Sequence, residues 1–239
     1  MTTLEVLPDP DTLAQTVAGR FVARLAEIQA DGRVPAVCLT GGSIADKIHQ
    51  AVAAMDSTAV DWKRVDFFWG DERYVPADSS DRNDRAAGLD LLDKVVVDPA
   101  RVHAIPAADD RYASLEEAAQ AYEDLVRSEG TGSFDLVMLG LGPDGHVASL
   151  FPGHPQLDVT DRIAVPVTGS PKPPPERISL TFPALNRTHE VWFLVSGDGK
   201  ADAVARALAP EGSVHATPAR GITVEETTWF LDTDAASLL

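Results

Sequence analysis

Three glycines and a proline at 140–145, within the stretch 134–152 (FDLVMLGLGPDGHVASLFP), constrain this chain more than any other feature. The apolar run Leu136, Val137, Met138, Leu139 is met at once by Gly140, Gly142, Pro143 and Gly145. A short apolar run bounded by turn residues reads as a buried strand. The glycines stop it abruptly and let backbone approach a ligand closely. The pattern predicts a strand, a turn carrying Asp144 and His146, and a short helix over 146–150. It thereby puts both polar groups at a C-terminal strand end, where open α/β sheets bind ligands.

The same punctuation recurs along the chain. Asp11 is the expected N-cap of a helix with Leu13, Val17, Phe21, Val22, Leu25 and Ile28 on one face, closed by Asp31 and Gly32. A strand over 36–39 runs into Gly41, Gly42 and Ser43. Ser43 then opens a helix to about Ala54, with Asp46 completing a capping-box pattern. Free N–H groups and the positive end of a helix dipole would make Gly41, Gly42 and Ser43 a phosphate cradle, although Gly-Gly is common in such connections. A strand over 65–69 leads into Asp71, Glu72 and Arg73, a charge cluster that elsewhere would read as a solvated loop. A polar loop over 78–85, a helix through Leu92 and a short strand over 103–106 follow. Ser114 and Glu117 then cap a helix carrying Leu115, Ala119, Tyr122 and Val126 on one face. Beyond the organising stretch, strands are expected at 163–167, 177–181, 190–196 and 229–231. Gly199 and Lys200 precede a helix over 201–208. The proline-rich segment 169–175 reads first as a rigid surface linker, with a stiff holder of Lys172 as the alternative. Alternation of strands and helices predicts an α/β fold with a largely parallel sheet, in one domain spanning 1–239.

A formal charge of −17 excludes nucleic acid and an anionic membrane surface as partners. It also makes the few cations informative: there are only five lysines. Cys38, the single cysteine, is expected in the core, and no disulfide within the chain or cysteine-based zinc cluster follows. The first residues carry no basic start before an apolar block, and no apolar run approaches ~18 residues, so the expectation is a cytoplasmic protein without a membrane span. It is expected as a monomer or weak homo-oligomer.

Four strand ends therefore carry polar groups: Gly41-Gly42-Ser43, Asp71-Glu72-Arg73, Asp144-His146 and Gly199-Lys200. In a parallel sheet they share one edge and can meet in one cleft. Arg73, Lys172, Arg177 and Lys200 would supply a positive patch for phosphate. His146 is the one histidine in such a context, and an ordinary imidazole pKa near ~6.5 suits it to proton transfer. The other histidines show no spacing that would pair them as metal ligands.

The motifs LTGGS (39–43), WGDERYV (69–75), GLGPDGHVASLFP (140–152), PKPPPERIS (171–179) and WFLD (229–232) resemble those of the 6-phosphogluconolactonase family, in order and over nearly the whole chain. The resemblance implies a modified Rossmann-like fold with a small added lobe, shared with glucosamine-6-phosphate deaminases. It also implies hydrolysis of 6-phospho-D-glucono-1,5-lactone in the oxidative pentose phosphate pathway, with no metal or organic cofactor. His146 matches the family's proton-transfer histidine and Asp144 its neighbour in the turn. Arg73, Arg177 and Lys172 match cations of the substrate site, and Lys200 matches the phosphate-binding lysine. Asp71 and Glu72 join the substrate-site group. No G-x-S-x-G elbow is present, so a serine triad is not expected, and Ser149 reads as a packing or capping residue. Two other readings compete. Deaminases place a carboxylate five residues after the corresponding histidine, where this chain has Phe151. A non-catalytic sugar-phosphate sensor would need an output module, and no basic helix-turn-helix segment is visible.

Overall fold

Five of the predicted strands stack side by side in a computed structural model of the chain, which describes residues 2–129 and 133–239. The elements in order are β1 (Thr2–Leu7), α1 (Pro10–Ala30), β2 (Ala36–Leu39), α2 (Ser43–Ala54), β3 (Asp66–Trp69), β4 (Asp71–Arg73), α3 (Asn83–Ala87), α4 (Leu115–Glu129), β5 (Phe134–Leu139), β6 (Ala164–Val167), β7 (Arg177–Leu180), α5 (Phe182–Leu185), β8 (Thr188–Val195), α6 (Ala201–Leu208) and β9 (Thr227–Asp232). Six strands form a sheet in the order β1-β9-β8-β5-β2-β3, every pairing parallel. All six residues of β5 are buried, as the unbroken apolar run requires of a central parallel strand. The core gathers Phe21, Leu25, Phe67, Phe68, Phe134, Phe193 and Phe230, and Cys38 lies within it as expected.

From β2 the chain steps outward to β3, whereas from β5 it steps the other way to β8. The turns after these two adjacent strands therefore diverge and leave a crevice between them, the switch point where doubly wound sheets take ligands. A second sheet, β4-β7-β6, is antiparallel and caps this edge. The chain reaches it through Gly70, whose N–H donates to Leu39 O (3.0 Å) and whose carbonyl accepts from Leu180 N (2.8 Å).

Local geometry departs from the sequence reading at several places: the charge cluster Asp71–Arg73 forms strand β4, paired with β7, and α3 begins at Asn83 inside the expected polar loop 78–85. Asp9, not Asp11, caps α1, its carboxylate accepting from Thr12 N at 2.7 Å, because Pro10 supplies the first helical residue. Ser43 is the first residue of α2 rather than its cap: Gly42 holds the cap position at φ 106° with no side-chain bond. Residues 146–150 form a tight turn, not a helix. Ala148 adopts φ 47°, and Val147 pairs with Leu150. Residues 103–106 are not a strand; Val102 makes one isolated bridge to Phe67. The N-terminal β1 has no counterpart among the predicted strands, since it is an edge strand with Leu4 and Val6 each 49% exposed and so lacks a buried apolar run. The Ser114 cap is present, its hydroxyl accepting from Glu117 N at 3.2 Å.

Candidate active site

The crevice between the β2 and β5 turns is a cavity of about 170 Å³. Its walls are Thr40, Gly41 and Gly42 after β2, Gly140, Leu141, Gly142, His146 and Ala148 after β5, and Asp71, Arg73 and Arg177 from the capping sheet. Asn83, Lys172 and Lys200 complete it. Most of the predicted site groups thus meet in one place. Larger surface depressions exist, one of about 800 Å³ beside Arg82, Ile105 and Tyr112, but that one contains none of those groups.

The turn after β5 folds tightly on itself. Gly145 N donates to Gly142 O (2.8 Å) and Gly142 N to His146 O (2.9 Å). A Cβ on Gly142 would stand 2.0 Å from His146 Nδ1 and 2.4 Å from Asp144 Oδ1, so only glycine admits the packed pair. His146 Nδ1 lies 2.5 Å from Asp144 Oδ1. Partial burial pushes the Asp144 carboxyl up, but the hydrogen bond and charge of His146 outweigh it and bring the group down to about 2. Asp144 is therefore ionised and accepts from Nδ1–H, and a neutral His146 then carries its lone pair on Nε2. Asp144 stands behind His146 and does not line the cavity.

The cations collect on the opposite wall. Arg73 and Arg177 are direct cross-strand partners in β4 and β7. Like charges so placed repel, an arrangement that favours an anion between or beside them. Burial pushes Arg177 down, Asp71 opposes this and Arg73 adds to it. Arg177 also gathers the proline segment, donating to the carbonyls of Lys172, Pro173 and Pro174 at 3.2–3.3 Å, which brings Lys172 to the cavity. Lys200, at the start of α6, donates to Leu141 O at 2.6 Å; burial and then Lys172 push its pKa down, while Asp144 opposes them.

Besides Asp144, two predicted groups do not line the cavity. Glu72 is 1% exposed and turned from the cavity, its carboxylate accepting from the N–H groups of Arg73, Asn83 and Asp84 at 2.8–2.9 Å. These three bonds make it a tie for backbone amides rather than a cavity group; burial pushes its carboxyl up to about 7, Asp84 adds to this, and Arg82 and the amides of Asn83 and Asp84 oppose it. Ser43 is exposed on the first turn of α2 and also does not line the cavity. Ser149 is neither a cap nor a mere packing residue: its Oγ donates to Asp71 Oδ2 at 2.6 Å. Asn83, absent from the predicted set, fixes Gly41, because a Cβ there would lie 1.9 Å from Asn83 Oδ1. No local pattern marks Asn83, although a buried amide bonded to Asp71 O at 3.0 Å is a tertiary signal. Phe151 is fully buried, its ring 4.6 Å from that of His146 and 5.8 Å from Arg177 Cζ. Among the described residues, no group of three or more His, Cys, Asp or Glu is arranged to hold a metal ion, and no helix is long and apolar enough to cross a membrane.

Residues 8–229 match the family described as glucosamine-6-phosphate isomerases/6-phosphogluconolactonase. The chain is 43% identical to a 6-phosphogluconolactonase of Streptomyces coelicolor, over 99% of this chain and 94% of the relative. It is 40% identical to one of Mycobacterium tuberculosis, over 99% and 98%. The solved 6-phosphogluconolactonase of Thermotoga maritima superposes with a TM-score of 0.83 at 29% identity, covering 97% of this chain and 100% of that one. A monomeric glucosamine-6-phosphate deaminase superposes with a TM-score of 0.84 at 20% identity, a likeness of fold alone.

Proposed function

The chain belongs to the glucosamine-6-phosphate isomerase/6-phosphogluconolactonase family and is an enzyme hydrolysing 6-phospho-D-glucono-1,5-lactone to 6-phospho-D-gluconate, a step of the oxidative pentose phosphate pathway; we propose that His146 carries the proton in that reaction. The observation behind this is the meeting of His146, backed by ionised Asp144, with Arg73, Arg177, Lys172 and Lys200 around one cavity in a chain of net charge −17.

In this reading Nε2 of His146 takes a proton from water as its oxygen attacks the lactone carbonyl. Asp144 holds the ring with Nδ1–H toward itself and stabilises the imidazolium that forms. The negative charge appearing on the carbonyl oxygen develops within the positive field of the cation cluster. Collapse of the tetrahedral intermediate breaks the bond from C1 to the ring oxygen, and the imidazolium returns its proton to that oxygen. Lys200 and Arg177 take the phosphate, with Lys172 and Arg73 beside them and the Gly41–Gly42 turn closing around the sugar phosphate. Asp71 accepts from a sugar hydroxyl. We assign the chain one domain over 1–239, a cytoplasmic location and a monomeric or weakly homo-oligomeric state.

The test uses purified protein and freshly generated lactone, with spontaneous hydrolysis subtracted and EDTA in a parallel sample. Equal lactonase activity in both samples, without ammonia release from glucosamine 6-phosphate, is expected. Activity restored to the chelated enzyme only by a divalent ion would overturn the metal-free mechanism.

A further inference from the structure

The turn that carries Asp144 and His146 is braced from outside the cavity by the far end of α6. Arg206 Nη2 donates to Pro143 O at 3.0 Å, and Nη1 reaches Asp144 O at 3.4 Å and Thr217 Oγ1 at 3.0 Å. Its Nε is held by Asp202 Oδ2, one helical turn back, at 2.8 Å. Thr217 presses on the same turn: a Cβ on Gly145 would stand 2.8 Å from Thr217 Cγ2, and Ala219 N donates to Gly145 O at 3.0 Å. Arg220 in turn closes the C-terminal end of α6, donating to Arg206 O, Ala207 O and Ala209 O at 2.6–3.2 Å.

Lys200 at the start of α6 holds Leu141 O, and Arg206 on the same helix holds Pro143 O and Asp144 O. Three carbonyls of one glycine-rich turn are thus tied to two cations of a single rigid element. Glycine-rich backbone has many alternatives open to it, and such ties remove them. We propose that Arg206, with Thr217, is a positioning residue for the reaction, fixing the peptide planes on either side of Asp144 so that its carboxylate meets His146 Nδ1. It does not line the cavity, and it acts through the Asp144–His146 pair.

This rests on the assignment of His146 and Asp144 above, and a double-mutant cycle separates the two. Arg206→Ala, Asp144→Asn and the double variant are compared for kcat, KM, pH profile and melting temperature. Arg206→Ala should lower kcat about 10-fold while KM moves less than about 2-fold, since misplacement of a reacting group costs rate rather than capture. In the Asp144→Asn background the same substitution should cost less than about 2-fold, because its route is already cut. Arg206→Lys should recover part of kcat, and Thr217→Val should reproduce a fraction of the loss. These two carry the test if Arg206→Ala does not fold. Fully additive losses, or a loss confined to melting temperature, would overturn the brace while leaving His146 in place. An Asp144→Asn enzyme with undiminished kcat would overturn the assignment of the pair and the brace with it.

Discussion

Ser149 Oγ donates to Asp71 Oδ2 across 2.6 Å, and the N–H of Ser149 donates to Ser179 Oγ at 3.1 Å, so the turn after β5 is riveted to the capping sheet beneath the cavity. Ser149 is fully buried and Asp71 is 7% exposed. Removing the hydroxyl leaves a buried carboxylate oxygen without that donor. Ser149→Ala should destabilise the fold by about 1–3 kcal/mol. Urea unfolding at pH 7 measures this, and a change below about 0.5 kcal/mol would contradict the role assigned to the bond.

His146→Asn should lower kcat by about 10²–10⁴ with the fold intact, since the ring sits on a strand-end turn and contributes little to the core. Circular dichroism establishes the fold, and progress curves corrected for spontaneous hydrolysis give kcat. A folded variant with wild-type kcat would move proton transfer to another group, Asp71 first.

Gly142→Ala should abolish most activity while leaving the binding cations untouched. The added methyl must displace either His146 or Asp144, both of which would lie within 2.4 Å of it. Loss of kcat with little change in affinity for the product is the expected pattern. Product affinity is read by calorimetry. A fully active Gly142→Ala enzyme would mean that the close packing of the pair is dispensable.

Lys200→Ala should act mainly on substrate capture, with KM raised roughly 10- to 100-fold for the loss of one charge-assisted contact. Part of any accompanying fall in kcat would come from Leu141 O, which loses its donor. Comparing phosphorylated with unphosphorylated gluconolactone checks the assignment: the variant should lose its preference for the phosphorylated form. An unchanged preference would remove Lys200 from the phosphate site.

His49 gives a pH dependence unrelated to catalysis. Burial pushes its imidazole down to about 4, with Asp90 opposing, and its Nδ1 has no hydrogen-bond partner. The unfolded chain titrates near the ordinary value of ~6.5. Because the folded value is the lower one, the stability is complete above pH ~6.5 and is lost as pH falls toward about 4. The whole limb amounts to roughly 3 kcal/mol. His49→Gln should flatten that limb in unfolding free energies measured at several pH values between 7 and 4, whereas an unchanged slope would assign it to other groups.

How far the sequence reached can be traced residue by residue. The apolar run before Gly140, the Gly41–Gly42 turn, the cap at Ser114 and the start of α6 after Lys200 are all present where local pattern placed them. Each depends on residues a few positions apart: a strand end, a turn or a cap is decided by nearby backbone preferences. The meeting of Asp71, Arg73, His146 and Lys200 followed from one rule about parallel sheets, that strand ends share an edge, whereas Arg177 arrives with β7 of the antiparallel capping sheet.

Other features depended on neighbours that no local pattern names. Residues 146–150 have the composition to begin a helix, yet Ala148 turns left-handed so that Ser149 can reach Asp71, 78 positions earlier in the chain. Glu72 resembles its neighbours in the charge cluster, but alternation along β4 turns its carboxylate to the amides of Asn83 and Asp84 and leaves Asp71 and Arg73 to the cavity. Asn83 and Arg206 carry no motif at all. The sequence by itself determined the buried strands of the parallel sheet, the glycine turns and which charges stand at their ends. Only the tertiary structure decided which of those charges face the cavity and which tie the backbone, because hydrogen-bond partners distant in sequence are chosen by which strands and turns become neighbours in space.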